Sequence, residues 1–149
     1  MSQIAKTPGA GAGTNPEFES IFARLREILQ KHSTALTVTA DAPDHYCLEG
    51  SAGPAALRLW GGKVKRSTMP VAWAQIGKAY VSYHLMGVYG NTDLLYGMSK
   101  ELKARMQGKT CFNFKVADEK LFHELDRLTA RGIADFRKAG YLSEKEPAS

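Results

Sequence analysis

The chain has no run of 18 or more apolar residues, so no segment fits a membrane-spanning helix. Its first fifteen residues carry one lysine and no apolar core segment, which argues against a secretory signal and makes the cytoplasm the expected compartment. Cysteine is scarce: Cys47 and Cys111 are too few to frame a disulfide-stapled secreted domain, although pairing between these two stays open. There is no Cys-x-x-Cys and no nucleophile elbow. The glycines at 50–53 and 61–62 lack the strand-loop-helix context of a phosphate-binding loop. His32, His45, His84 and His123 are far apart and show no ligand spacing, so no metal ligands are assigned. No internal repeat is visible.

What is present reads as one ordinary domain. The 149 residues are 44% apolar, enough to bury a core without metal or disulfide staples. Basic residues outnumber acidic ones, 20 to 15, for a net charge of +5. Such an excess attracts polyanions, but these side chains are scattered, and the one dense cluster (Lys63, Lys65 and Arg66 beside a Gly-Gly pair) reads as a solvated turn. Nucleic acid is therefore not an expected partner.

The periodicity places the elements. Residues 1–14 are Gly/Ala-rich and read as a flexible tail; residues 15–142 form the domain, and 143–149 a second flexible tail. Asn15 and Pro16 open an amphipathic helix whose apolar stripe is Phe18, Ile21, Phe22, Leu25, Ile28 and Leu29. Alternation predicts a half-buried strand over 36–40, a turn at 41–44, a second strand over 45–49 and a short third over 57–60. Ser99 caps a helix running through Leu102 and Met106 to Gly108. Cys111 to Lys115 is a last strand with Phe112 and Phe114 toward the core. Asp118 opens a C-terminal helix striped with Leu121, Phe122, Leu125, Leu128 and Phe136, ending at Gly140. Central strands between terminal helices predict an α+β fold, an antiparallel sheet flanked by N-terminal and C-terminal helices.

The runs 71–76 and 79–86 are expected to form a hairpin on a two-residue Gly77-Lys78 turn, pairing Gln75 with Tyr80, Trp73 with Ser82 and Val71 with His84. Alternation then sorts two faces. Ala72, Ala74, Ile76, Val81, Tyr83 and Leu85 make a core face; Trp73, Gln75, Tyr80, Ser82, His84 and Met86 make a mixed aromatic and polar one.

The stretch from Ile76 to Met86, with Val88-Tyr89, Leu94-Leu95, Met98-Ser99, Glu101-Leu102, the run from Arg105 to Lys109 and that from Cys111 to Lys115, resembles the YdhG-like family of largely uncharacterised bacterial proteins. The resemblance runs from about Phe18 to Tyr141. It implies a compact α+β domain with an antiparallel sheet covered by helices. Some members are described as iron chaperones that stand in for frataxin, so iron is a cargo implied by the resemblance alone. No catalytic set comes with it.

Three functional readings follow. An aromatic sheet face left uncovered by helices suits a non-catalytic binding or accessory role, with Trp73, Gln75, Tyr80, Ser82, His84, Tyr89, Cys111 and Asn113 as candidate ligand-binding residues for a small molecule or protein. A weak homodimer closing over that face is the expected assembly. Frataxin-like iron handling would need hard oxygen ligands; Glu17, Glu19 and Glu27 on the first helix and Asp118, Glu119, Glu124 and Asp126 on the last are the carboxylates on offer. Thiol chemistry at Cys111, activated by His84, is the third and least supported.

Overall fold

Asn15 sets the start of the first helix. Its side chain accepts the backbone N–H groups of Glu17 and Phe18, and Pro16 takes the first helical position. The helix, α1 (Pro16–Lys31), buries the predicted stripe from Phe18 to Leu29 along one side. The computed structural model describes residues 15–61, 67–90, 92–108 and 110–143, with the backbone alone at 89, 90 and 92. The tail at 1–14, the basic run at 63–66 and residues 144–149 lie outside the described residues.

Among the described residues, six strands form one antiparallel sheet. They are β1 (Thr37–Ala42), β2 (His45–Ser51), β3 (Thr68–Ile76), β4 (Val81–Leu85), β5 (Met106–Gln107) and β6 (Cys111–Phe114), in the spatial order β1-β2-β3-β4-β6-β5. Four further helices accompany α1: α2 (Pro54–Trp60), α3 (Met86–Gly90), α4 (Lys100–Lys103) and α5 (Glu119–Lys138), with a 3-10 turn at Thr92–Leu95. The terminal helices α1 and α5 lie on one face of the sheet, so the expected α+β architecture is the one found.

That face is the core. Leu48, Ala72, Ala74, Val81, Tyr83, Leu85 and Phe112 are fully buried, and Phe114 meets Phe122 of α5 edge to face at 5.3 Å. Each such leucine, valine or phenylalanine contributes about 1.5–3 kcal/mol of burial. A buried polar pair is satisfied: Thr129 Oγ1 donates to Leu125 O at 2.7 Å, leaving it to accept from the Tyr83 hydroxyl at 2.6 Å. Arg24 joins α1 to Glu119 of α5 through two 2.7 Å bonds, and Asp126 of α5 receives Lys31 and His32. The end of α5 closes with paired bonds, Gly140 N–H to Arg137 O and Tyr141 N–H to Phe136 O, around Gly140 at φ +92°. Phe136 and Tyr141 stack at 5.0 Å across that turn.

Four local expectations are corrected. Residues 57–60 are not a strand but the second half of α2. Pro54 at its first turn and Gly61 at φ +66° past its end bracket a helix, and the alternation of Leu57 with Leu59 has no neighbouring strand to pack on; both are exposed. The helix after Ser99 ends at Lys103, and Met106-Gln107 pairs with Phe112 and Cys111 as an edge strand, with Gly108 at φ +77° in the turn. The first strand, over 37–42 rather than 36–40, is largely exposed instead of half-buried: it is a sheet edge, with a register shift between Val38 and Ala40. The hairpin tip is Lys78-Ala79, one residue later than expected. Gly77 N–H bonds Tyr80 O at 2.8 Å, and the pairs become Ile76 with Val81, Gln75 with Ser82, Trp73 with His84 and Ala72 with Leu85. A one-residue move of the tip shifts the pairing by two, an even number, so the strand residues keep their faces, while Tyr80 in the connection and Met86 in α3 fall outside the strands.

Candidate functional site

The site is built by register alone. On the sheet face opposite α1 and α5, successive antiparallel pairings place Cys47 beside Trp73, Trp73 beside His84, His84 beside Cys111 and Cys111 beside Gln107. The adjacent row sets His45 beside Gln75, Gln75 beside Ser82 and Ser82 beside Asn113. Residues directly opposite on one face have side chains in contact range, so five strands contribute to one continuous strip.

Its centre is aromatic. The Trp73 indole stacks on the His84 imidazole with ring centroids 4.5 Å apart and planes 12° from parallel. Such a pair adds about 0.5–1.5 kcal/mol beyond the area it buries. Next to it, the Cys111 thiol donates to Asn113 Oδ1 at 3.2 Å, and its sulfur lies 3.6 Å from His84 Nε2. The Asn113 amide in turn donates to Gln107 Oε1 at 3.3 Å. Trp73, Ser82, His84, Cys111 and Asn113 are half-buried, and Gln75 is exposed.

Electrostatically the centre rests neutral. Burial pushes the His84 pKa down from its ordinary value and pushes the Cys111 thiol up. A neutral imidazole beside a neutral thiol is a hydrogen-bonding pair, and the indole supplies apolar area with one N–H donor.

The expected residues are thus mostly brought together, with two exceptions. Tyr80 lies in the hairpin connection rather than on β4 and is 36% exposed. The side chain of Tyr89, in α3, lies outside the described residues. Pattern reading missed Cys47, His45 and Gln107. Cys47 sits against Trp73 with only 9% of its surface exposed, and finding it required the pairing of β2 with β3, which no local signal carries. The same register separates the two cysteines. They stand three strand spacings apart, about 14 Å, far beyond the reach of a disulfide, and no disulfide joins them.

All of the candidate helix carboxylates but Glu19 are engaged in contacts within the fold. Glu17 accepts the Ala117 N–H, Glu27 and Glu119 both receive Arg24, and Asp118 caps α5. Asp126 is drawn upward by burial but pulled further down by its bonds to His32 and Lys31, so it stays ionised. Glu124 accepts from Ser99 N–H and Oγ–H at 2.7 and 2.6 Å. Among the described residues, no group of three or more His, Cys, Asp or Glu side chains is placed to hold a metal ion. Nor is any described helix long and apolar enough to cross a membrane.

No protein-family model, curated protein or solved structure matches the chain. The functional reading is carried by the residues themselves.

Proposed function

We propose that this protein is a non-catalytic binding or accessory domain that uses the strip from Cys47 through Trp73 and His84 to Cys111 to hold a small molecule or a protein partner. The observation that carries the reading is the stacked Trp73–His84 pair set among hydrogen-bonding groups on the face away from the terminal helices. Aromatic rings with polar tips on a half-buried surface supply binding area and orientation together. The neutral state of His84 and Cys111 favours recognition over nucleophilic attack, because the thiolate is the reactive form. Kinship with the YdhG-like family is part of the same proposal, supported by the residues between 76 and 115 and by the α+β architecture.

The partner expected first is a second copy of the chain, closing over the strip as a weak homodimer. Sedimentation at high micromolar concentration tests this, with the double variant W73A/H84A beside the wild type. The wild type is expected to self-associate and the variant to stay monomeric, while its unfolding free energy falls by no more than about 2 kcal/mol, as suits a half-exposed cross-strand pair. A loss of about 3–5 kcal/mol, the size of a deleted core aromatic, makes the face structural and ends the binding reading. A monomeric wild type with a stable variant removes the dimer and leaves a small molecule or another protein as the occupant.

A further inference from the structure

A second concavity lies in the helical layer, across the sheet from the Trp73 strip. The segment from Leu94 to Ser99 and the middle of α5 enclose a cavity of about 320 Å³, at the lower end of the range for small-ligand sites. Its apolar wall is Leu94, Met98 and Leu128, all more than nine-tenths buried. Arg127 and Arg131, both exposed and four residues apart on one face of α5, also line it.

The cavity carries two cations at close spacing. Like charges at that helical spacing repel. Arg24 and Arg26 each sit against a carboxylate, but among the described residues neither Arg127 nor Arg131 forms an ion pair. Arg131 reaches only Leu94 O, at a long 3.5 Å. Glu124, which lines the same cavity, is turned to Ser99, whose N–H and Oγ–H it accepts, and Asp126, the residue before Arg127, is held by Lys31 and His32. The result is a lining of two arginines and one carboxylate, net positive, around the buried side chains of Leu94, Met98 and Leu128 in a preformed hollow.

We propose that this cleft binds a small organic oxyanion, a phosphate monoester or a carboxylate, gripped by Arg127 and Arg131 with its apolar part against Leu94, Met98 and Leu128. Guanidinium forks match the paired oxygens of both groups, and the volume admits a compact ring or short chain beside the anionic head. Ser99, held by Glu124, is part of the same lining.

The test is a titration of the full chain at constant ionic strength with inorganic phosphate, phenyl phosphate, benzoate and, as a neutral control, phenol, read from the backbone amide NMR signals of Gly97, Met98, Ser99 and Leu128. Saturable shifts with an oxyanion, strongest for one bearing a ring and absent for phenol, are expected. A response to the two phosphates alone assigns a phosphoryl group; a response to benzoate alone assigns a carboxylate. Arg127→Gln, which disturbs no described contact, is expected to weaken binding about tenfold or more, and the R127Q/R131Q pair to abolish it. No saturable shift with any oxyanion, an equal shift with phenol, or unchanged affinity in the double variant overturns the proposal. The readout lies across the sheet from the Trp73 strip, so failure here does not touch the proposed binding face, nor the reverse.

Discussion

Gly87 and Gly132 mark the place where α3 crosses α5, and replacing each by alanine should have opposite consequences. A Cβ built on Gly87 would lie 2.1 Å from the Gly132 carbonyl oxygen, with the carbonyl carbon and Cα of Gly132 at 2.6 and 2.8 Å. These are backbone atoms, so no side-chain rotation relieves the clash. For the contact to exceed 3.0 Å, α3 and α5 must separate by close to an ångström. A radial gap of that size forfeits a quarter to a half of the dispersion energy of the contacts on either side. Val88 and Ile133, both buried at this crossing, lose packing together. Gly87→Ala is therefore expected to destabilise the fold by about 3 kcal/mol, the upper end of overpacking lesions. A Cβ on Gly132 meets only the Leu85 side chain, whose Cδ2 is at 3.1 Å and can shift by a few tenths of an ångström. Against that small strain stands a gain of about 1 kcal/mol in helix propensity inside α5. Gly132→Ala should lie within about 1 kcal/mol of the wild type. Urea unfolding followed by far-ultraviolet circular dichroism gives both values from the midpoint at constant slope. Equal effects from the two substitutions, or a neutral Gly87→Ala, would refute the close-approach argument.

Two further outcomes are expected. His84 and Cys111 should bound a stability plateau: the folded imidazole titrates below its ordinary 6.5, so the unfolded chain binds the extra proton and stability falls as pH drops below about 6.5. The folded thiol titrates above its ordinary 9.0, so the unfolded chain ionises first and stability falls as pH rises past about 9. His84→Gln should flatten the acid limb and Cys111→Ser the alkaline one, measured as unfolding free energy against pH; unchanged slopes would speak against the neutral resting pair. Ser99→Ala removes the hydroxyl that caps α4 through Leu102 N–H and also holds Glu124, at an expected loss of about 1–2 kcal/mol in denaturant unfolding that Ser99→Thr largely restores. A loss below a few tenths would show that the cap carries no weight.

The sequence by itself determined most of the elements whose information is local. The stripe of α1, the Asn15 and Asp118 caps, the inward Phe112 and Phe114 and the Gly140 stop follow from periodicity and capping chemistry, and the structure has them where those rules put them. The two faces of the hairpin were equally legible, because side-chain alternation depends on strand identity and survives an even register shift. Tertiary structure decided the rest. The tip of the hairpin settled on Lys78-Ala79, and that choice is what set Trp73 against His84 instead of Ser82. Residues 57–60 became helical because no strand lay beside them, although their alternation matched a strand's; the Pro54 and Gly61 brackets were the signal that weighed more. Above all, the order of strands was not readable. Cys47 and Cys111 lie 64 positions apart in sequence, and only the insertion of β3 and β4 between their strands makes them ends of one strip instead of a disulfide. The cleft of Arg127 and Arg131 has the same origin. Helical spacing puts both arginines on one face, but the packing of residues 94–99 against α5 is what turns that face into a hollow, since long-range contacts are chosen by the total burial they achieve and not by any one segment.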